Sequence, residues 1–354
     1  MTLDEIRAQI DAIDSSLLAL LEQRMDWVKK VGDLKKSNQT LIYRPEREKA
    51  IIERLSTLSE GKLSPKAIEA IFLEIFAVSR HHEMPERVAY LGPEGSFTHQ
   101  AAESRFGTLS DYVALPEIRS VFEAVSTERV RFGVVPIENN QAGSVVETID
   151  CLSEFDLHIA AEHIMPIHFC LASNSEKIQD IKRIYSKDIA FRQCGKFLKE
   201  MFPPDITLVP VASTSQAVLQ AKDDKHSAAL CAPVAAKIHL VPILFENIED
   251  SELNQTRFLI LAKDFENQLS GNDTTSIIAK LPDTPGSLAR FLDDFVQAGI
   301  SLSKIESRPL KGQSGFSYQF IIDFEGHKEQ NHVKALLKKH ENHVKWLGSF
   351  VKSN

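Results

Sequence analysis

Residues 3–34 read LDEIRAQIDAIDSSLLALLEQRMDWVKKVGDL, and apolar residues recur along this stretch at steps of three and four. That spacing places the apolar side chains on one face of an α-helix. Thr2 followed by Glu5 fits a capping box at the start of this helix. The stretch therefore predicts one uninterrupted helix, about 50 Å long at the usual rise per residue.

Two shorter helices follow the first. Pro45 at a first-turn position opens the second helix, which Gly61 can close, and Ser64-Pro65 opens a third that runs to about Glu83. The first helix is too long to bury its apolar stripe against these two helices of the same chain. We therefore expect an all-α domain over residues 1–85 and an intertwined helical dimer.

Polar residues interrupt the apolar stripes of all three helices. Arg24 stands where an aliphatic residue is expected, and Lys35 follows three turns later on the same face. Each such residue alone fits a solvated helix end or a surface ion pair. Together they indicate a buried site for a small polyanion, because unpaired charges inside an apolar bundle are costly unless a ligand neutralises them. The candidates are Arg24, Lys35, Arg47, Glu48, Ser79 and Glu83.

The composition excludes several classes of protein. A chain of 354 residues predicts two or three domains. No apolar run approaches the ~20 residues that a membrane helix needs, and the N-terminal MTLDEIRAQI is too acidic for a signal peptide, so we expect a cytosolic protein. A net charge of −8 without a long basic run argues against nucleic-acid binding.

Neither the cysteines nor the histidines have the spacing of metal ligands. His340 and His343 could share a helix face, but neighbouring lysines and the lack of acidic or thiol partners favour a solvated face. The cysteines lie far apart, as is typical of reduced cytosolic thiols. They are Cys151, Cys170, Cys194 and Cys231. We predict no metal.

From Val88 onward, short β-rich runs alternate with helical stretches, which predicts an α/β domain with parallel strands. About 180 residues are a lot for one sheet, so we expect two lobes with a cleft between them, as in periplasmic binding proteins. This domain is expected to span residues 86–264.

Several loops of this domain are candidates for binding an anion or a polar substrate. Residues 92–98, GPEGSFT, follow a strand and precede a helix, so that backbone amides and hydroxyls can face a carboxylate. Ser213 and Thr214 repeat this arrangement, although an ordinary helix cap explains them equally well. Residues 136–140, PIENN, and 254–258, NQTRF, place polar groups at strand ends, where each could also be simple turn chemistry.

After the polar linker LSGNDTT, residues 273–354 have the order strand, helix, two strands, helix, strand, which is ferredoxin-like. Glu306 and Arg308 alternate along the second strand of this domain and therefore share one face. They could form a cross-strand ion pair of little energetic value. They could equally meet the ammonium and carboxylate of an amino acid.

The first segment resembles the all-helical chorismate mutases through IRAQIDAID, LLEQR, VGDLKK, YRPERE and the Ser79/Glu83 pair. The resemblance implies that Arg7 reaches into the partner's site of the intertwined dimer. It assigns the substrate carboxylates to Arg24 and Arg47 and the ether oxygen to Lys35. The hydroxyl of the substrate would be held by Glu48 with Ser79 alongside.

The mutase reaction is an intramolecular rearrangement, so it needs neither a nucleophile nor a cofactor. The protein must fold a flexible dianion and stabilise the negative charge that develops on the ether oxygen. Glu83 stands where some relatives carry glutamine, and a carboxyl group can donate to that oxygen only when it is protonated. The sequence therefore predicts mutase activity that falls with rising pH.

Residues 88–263 resemble prephenate dehydratases through YLGPEGSFTHQAA, RIYS, RQCGKFL and the TRF triplet. The resemblance implies that Thr256 is the central catalytic residue and that Glu138 is a possible proton source. The substrate cleft would be lined by Glu138, Asn139, Ser186, Gln193, Ser213, Thr214, Arg257 and Phe258. The chain departs from the family at Asn140, where serine or threonine is frequent, and at Lys187-Asp188, where His-Pro is common.

The last segment resembles the ACT regulatory module of these dehydratases, which binds phenylalanine. The resemblance rests on a strand-to-helix turn and on an ESRP strand, with Ser287 in place of the alanine of that turn. The implied effector residues are Gly286, Ser287, Leu288, Glu306, Ser307, Arg308 and Pro309.

The combined prediction is a bifunctional enzyme of phenylalanine biosynthesis, a homodimer or larger, that converts chorismate through prephenate to phenylpyruvate under phenylalanine control. A dehydratase that prefers arogenate, the aminated relative of prephenate, is a close alternative. A metabolite sensor without catalytic activity is a third, which Thr256 and the intact mutase set argue against.

Overall fold

The computed structural model describes residues 1–38, 43–83, 87–310 and 318–353, without the side chains of residues 35–38. The chain forms two compact units. The first contains residues 1–86 and 106–111, and the second contains residues 87–105 and 112–354. Each unit has its own hydrophobic interior.

The first unit is built from three helices, which confirms the all-α prediction. They are α1 (Leu3–Asn38), α2 (Pro45–Leu58) and α3 (Pro65–Glu83). The capping box of α1 is formed, since Thr2 N donates to Glu5 Oε2 at 2.7 Å and Glu5 N donates to Thr2 Oγ1 at 3.2 Å. Gly61 follows α2 with a φ of +84°, a left-handed conformation that glycine adopts without strain.

The apolar stripe of α1 is largely exposed within one chain. Ile13 is 65% exposed and Trp27 is 61% exposed. Side chains of this size are seldom left in contact with water along a whole helix face. Other exposed members of the stripe are Leu3, Ile6, Ile10, Leu17, Leu20, Val31 and Leu34.

The α/β part of the second unit has two lobes, as predicted. Its helices are α4 (Phe97–Phe106), α5 (Ile118–Ser126), α6 (Val146–Glu154), α7 (Asp188–Gln193), α8 (Gly195–Met201), α9 (Thr214–Lys222) and α10 (Pro233–Ile238), with a 3₁₀ turn at Ile178–Asp180. Its strands are β1 (Arg87–Leu91), β2 (Asp111–Leu115), β3 (Phe132–Asn139), β4 (Gly143–Ser144), β5 (His158–Pro166), β6 (Cys170–Ala172), β7 (Arg183–Ser186), β8 (Thr207–Pro210), β9 (Ser227–Cys231), β10 (Ile243–Glu246) and β11 (Gln255–Ala262).

Each lobe has its own sheet. The first sheet has the order β2-β1-β3-β11-β5 with β4 paired to β3, and the second has the order β10-β6-β9-β7-β8. The sheets are mixed, whereas the sequence predicted parallel strands. Strand β11 runs antiparallel to both β3 and β5 because the chain enters it on its return from the second lobe.

The chain crosses between the lobes at two adjacent points. It leaves the first lobe after Pro166 at the end of β5 and re-enters at Gln255, the first residue of β11 and the register partner of Pro166. Ile167 N donates to Asn254 O at 2.8 Å, which ties the two crossing segments together. Thr256 is the second residue of β11, so this topology places it beside the junction of the lobes.

The C-terminal part of the second unit has the predicted ferredoxin-like order. Its elements are β12 (Asp273–Ala279), α11 (Ser287–Gln297), β13 (Leu302–Pro309), β14 (Tyr318–Glu325), α12 (Asn331–Lys339) and β15 (Val344–Val351). The strands lie in the order β13-β14-β12-β15. Buried Ile277 and Ile322 on one face of the sheet pack against Phe291 and Phe295 of α11.

The other face of this sheet packs against the first lobe. Ile278, Ile321 and Leu347 belong to the same hydrophobic cluster as Leu259 of β11. The strands approach closely here, since a Cβ atom on Gly348 would lie 2.4 Å from the carbonyl oxygen of Ile159. The C-terminal sheet and the strand that carries Thr256 therefore share one continuous core.

Candidate functional site

The helical unit contains a cavity of about 530 Å³ that receives side chains from all three helices. Five of the seven residues predicted for the first site line it, and the arrangement brings them together from positions up to 59 residues apart. The lining residues are Arg24, Trp27, Val28, Val31, Arg44, Arg47, Glu48, Ile51, Phe76, Ser79, Arg80 and Glu83. A neighbouring hollow of about 450 Å³ shares Arg24 and Arg47 with this cavity.

Arg24 lines the helical cavity and is held in place by Ser79. Its Nη1 donates to Ser79 Oγ, which itself donates to Ile75 O at 2.6 Å. Burial lowers the pKa of the Arg24 guanidinium, while the charge of Glu83 opposes that shift and the charge of Arg47 adds to it. A guanidinium remains protonated under these influences, so Arg24 presents a positioned positive charge to the cavity.

Arg80 is a site residue that the sequence analysis missed. It is 5% exposed, and its Nη1 donates to Glu48 Oε1. At the last turn of α3 a basic residue fits ordinary helix-dipole stabilisation, so the sequence offered no separate signal. Glu48 Oε2 is buried and has no hydrogen-bond partner among the described residues. One oxygen of this carboxylate is therefore paired, and the other lacks a donor among the described residues.

Arg7 lies outside the cavity, and Lys35 has no described side chain. Arg7 is in the first half of α1, where its exposed side chain approaches Asp4 at 3.8 Å, and it does not line the cavity of its own chain. The side chain of Lys35 lies outside the described residues.

The second unit contains a larger cleft of about 920 Å³ between the two lobes. Its lining includes Asn139, Gln193, Ser213, Thr214, Thr256 and Phe258 from the predicted dehydratase set. The GPEGSFT loop supplies Gly92, Pro93, Ser96, Phe97 and Thr98. Further lining residues that the predicted set omitted are Phe169, Lys187, Ile189, Ser215 and Gln216.

Thr256 and Asn139 form a fixed pair in this cleft. Asn139 Nδ2 lies 2.9 Å from Thr256 Oγ1 and 2.9 Å from Asn254 Oδ1. Asn139 Oδ1 accepts from the backbone N–H groups of Gln141 and Ala142 at 3.0 and 2.9 Å, which fixes the orientation of the amide. Asn139 Nδ2 also lies 2.9 Å from Gln255 O, so its two protons serve three acceptors, of which Thr256 Oγ1 is one. The amide nitrogen does not accept, so the proton of Thr256 is not used by Asn139.

The structure corrects the prediction that Glu138 and Arg257 line the cleft. Neither residue is among the cleft-lining set. They are register partners on β3 and β11, next to the pair Asn139 and Thr256. Successive side chains of a strand point to opposite faces. Asn139 and Thr256 therefore face the cleft, and Glu138 and Arg257 face the opposite side of the sheet.

A β-bulge adjusts this alternation on β3. The register passes from Arg257 opposite Glu138 to Phe258 opposite Pro136, so Ile137 is the extra residue. The bulge lets Pro136 and Asn139, three positions apart, both line the cleft. Sequence periodicity alone would have placed them on opposite faces.

Ser186 is the third correction. It is fully buried, and its Oγ donates to Leu230 O at 2.7 Å, so it joins β7 to β9 and does not line the cleft. Gln193 does line the cleft, where its Nε2 donates to Gln141 Oε1 at 3.2 Å. Ser213 Oγ accepts from Gln216 N at 3.0 Å, which makes it the N-cap of α9 as well as a cleft residue.

The side chains of Glu138 and Arg257 contact the C-terminal sheet. Lys304 Nζ donates to Glu138 Oε2 at 2.6 Å. Arg257 donates to Glu162 Oε2 at 2.7 Å and to Asp323 Oδ2 at 2.6 Å. These contacts join the strands that carry the cleft residues to β13 and β14.

The predicted effector residues fall on different faces of the C-terminal sheet. Glu306 and Arg308 lie on the half-buried face of β13, whereas Ser307 and Pro309 are exposed. Glu306 Oε2 accepts from Ser144 Oγ at 2.6 Å and lies 3.5 Å from Lys304 Nζ. Arg308 Nε is buried without a hydrogen-bond partner among the described residues.

The predicted effector turn precedes α11, on the helical side of the sheet. Gly286 has a φ of +81°, which suits glycine, and Ser287 Oγ lies 2.6 Å from Thr284 Oγ1. Leu288 follows in the first turn of α11.

The described residues contain no group of three or more His, Cys, Asp or Glu side chains that could hold a metal ion. None of the helices in the described part of the chain is long and apolar enough to cross a membrane.

Residues 6–84 match chorismate mutase type II, residues 88–266 match prephenate dehydratase and residues 275–342 match the ACT domain. The chain is 39% identical to the bifunctional chorismate mutase/prephenate dehydratase of Aquifex aeolicus, over 99% of this chain and 98% of that protein. It is 36% identical to the protein of the same name from Pseudomonas aeruginosa, with the same coverage.

Solved structures resemble three quarters of this chain. A prephenate dehydratase from Arthrobacter aurescens, in complex with L-Phe, has a TM-score of 0.70 and 31% identity, over 75% of this chain and 90% of that chain. The prephenate dehydratase of Staphylococcus aureus has a TM-score of 0.65 and 28% identity, over 75% of this chain and 99% of that one. The chain therefore belongs to the family of bifunctional chorismate mutase/prephenate dehydratases with an ACT domain.

Proposed function

We propose that the helical cavity rearranges chorismate to prephenate and that the cleft between the lobes converts prephenate to phenylpyruvate. In the helical cavity the supporting observation is the convergence of Arg24 and Arg47 with one unpaired oxygen of Glu48. Guanidinium groups bind carboxylates through paired hydrogen bonds and can hold a flexible dianion in the reactive conformation.

The assigned mutase roles follow from the position of each group. Arg24 and Arg47 bind carboxylates, Glu48 Oε2 accepts from the substrate hydroxyl, and Ser79 orients Arg24. The reaction breaks the ether C–O bond while a C–C bond forms, so negative charge grows on the ether oxygen. Lys35 and Glu83 are the proposed donors to that oxygen.

In the cleft the proposal rests on the orientation of Thr256. Since Thr256 Oγ1 accepts from Asn139, its O–H group is free to donate to the hydroxyl that leaves the prephenate ring. The C–O bond of that hydroxyl breaks as the ring carboxylate departs as carbon dioxide, and the electrons of the broken C–C bond complete the aromatic ring. Thr256 polarises this C–O bond through a hydrogen bond to the leaving oxygen, which departs as hydroxide and is protonated by solvent.

We also propose that two chains pair through α1. The exposed apolar stripe supports this, because pairing removes it from water. Arg7 does not line the cavity of its own chain. We propose that it enters the helical cavity of the partner chain. A measured solution mass of one chain would contradict this pairing.

Phenylalanine is the proposed effector of the ACT domain. The relative from Arthrobacter aurescens contains L-Phe, and Glu306 lies on β13 beside Lys304, which pairs with Glu138 next to the catalytic pair. An amino acid that engages Glu306 would compete with Ser144 and Lys304 for its carboxylate. The contact of Lys304 with Glu138 would then change, so effector binding and substrate binding would be coupled reciprocally.

Purified protein incubated with chorismate tests the whole proposal. We expect chorismate loss, transient prephenate and accumulation of phenylpyruvate, with phenylalanine slowing the second step. Thr256→Ala should lower dehydratase turnover about 100-fold or more, the usual effect of losing one transition-state hydrogen bond, while chorismate loss continues. Binding of these metabolites without turnover would instead identify a sensor.

A further inference from the structure

Lys187 carries the one charged side chain among the cleft-lining residues that the structure describes. The remainder of that lining is apolar or neutral, with hydroxyl and amide groups from Asn139, Gln193, Ser213 and Thr256. A cleft of about 920 Å³ therefore contains a single formal positive charge and no carboxylate on its walls.

The backbone of Lys187 is fixed at the start of α7. Its carbonyl oxygen accepts from Ala190 N at 3.0 Å and from Phe191 N at 3.3 Å, which anchors the residue in the second lobe. No ion-pair partner of Lys187 is found among the described residues, and the neighbouring Asp188 does not line the cleft. The ammonium group is thus available to a ligand.

We propose that Lys187 makes the dehydratase site selective for a substrate with a 2-oxo-acid side chain over one with an amino-acid side chain. The inference rests on the proposed dehydratase function. Prephenate and arogenate share the ring and its carboxylate. The side chain of arogenate has an ammonium group where that of prephenate has a keto group. With Lys187 nearby and no carboxylate in the lining, that ammonium would meet a like charge and lack an acidic partner.

Lys187 is assigned to the side-chain carboxylate and not to the ring carboxylate. The ring carboxylate must lose its charge as it leaves as carbon dioxide, so an ion pair there would stabilise the ground state more than the transition state. A side-chain carboxylate keeps its charge throughout the reaction, and an ion pair there contributes equally in both states. The contribution of Lys187 should therefore appear mainly in KM.

The test compares prephenate and arogenate as substrates of the full chain. Wild type should have the larger kcat/KM for prephenate. Lys187→Gln should lower kcat/KM for prephenate about 10- to 100-fold, the effect of one charged hydrogen bond. Most of this loss should appear in KM. The kcat/KM for arogenate should change little. Lys187→Glu supplies a partner for the ammonium and should move the preference toward arogenate.

Lys199→Gln is the matched control, because Lys199 is an exposed lysine of α8 in the same lobe and does not line the cleft. Chorismate mutase activity of each variant reports that the chain is folded. An unchanged prephenate-to-arogenate ratio in Lys187→Gln, with prephenate still turned over, overturns the role of Lys187 alone. A wild type that dehydrates neither compound overturns the dehydratase function itself.

Discussion

Asn139 Nδ2 lies 2.9 Å from Thr256 Oγ1, and the residues next to them, Glu138 and Arg257, occupy the opposite face of the same two strands. One pair faces the cleft, and the other contacts the ACT domain through Lys304 and Asp323. Two adjacent register positions thus connect the proposed chemistry with the proposed regulation.

Asn139→Asp should lower dehydratase kcat about 100-fold or more. A carboxylate at this position accepts the proton of Thr256, so the hydroxyl no longer donates to the leaving group. Product formation from prephenate measures the effect, and mutase activity in the same protein is the internal control. A variant with undiminished kcat would contradict the proposed orientation of Thr256.

Glu83→Gln should retain mutase activity, because its amide N–H group can donate to the ether oxygen. Glu83→Ala removes the donor and should lower kcat about 100-fold or more. Rates of chorismate loss measure both variants. Undiminished kcat in Glu83→Ala would reject Glu83 as the donor.

Arg80→Met should destabilise the helical unit by about 3 to 5 kcal/mol, because it leaves the largely buried carboxylate of Glu48 without its cation. Mutase activity should fall with it. Denaturant unfolding followed by helical circular dichroism measures the loss, and a second substitution, Glu48→Gln, should recover part of it. No recovery in the double variant would argue against a direct pair.

Lys304→Met should weaken phenylalanine inhibition while leaving dehydratase activity without effector within a few-fold of wild type. The substitution removes the contact at 2.6 Å with Glu138. Lys339→Met is the control, since Lys339 pairs with Asp294 on the helical side of the same domain at 2.8 Å. Equal loss of inhibition in both variants would indicate general loosening of the ACT domain.

The second unit should lose stability as pH falls from about 6.5 toward 3. Burial lowers the pKa of His163 to about 3, and the charge of Arg105 adds to the shift. The unfolded chain therefore binds a proton that the folded chain does not, so the free energy of unfolding rises with pH in this window, by up to about 1.4 kcal/mol per pH unit.

Urea midpoints measured between pH 4 and 7 check this expectation. His163→Gln should flatten the dependence, whereas substitution of the exposed His332 by glutamine should not. A steep dependence that persists in His163→Gln would assign the acid sensitivity to other groups.

The sequence determined the elements and the chemical groups. Apolar periodicity and the Thr2/Glu5 capping box predicted α1, and Pro45 and Pro65 marked the starts of the next helices correctly. The ferredoxin-like order of the last domain also followed from periodicity. These features are local, because capping and helix periodicity depend on residues within a few positions of each other.

Only the tertiary structure decided which neighbouring residues face which partner. Glu138 and Asn139 are adjacent in sequence, yet the bulge at Ile137 and the pairing with β11 send one to the ACT domain and the other to the cleft. The sequence position of Arg80 likewise fits an ordinary cation at a helix end. Only the folded structure brings it to Glu48, 32 positions away. Such contacts depend on strand register and helix packing over long sequence separations, which local patterns do not encode.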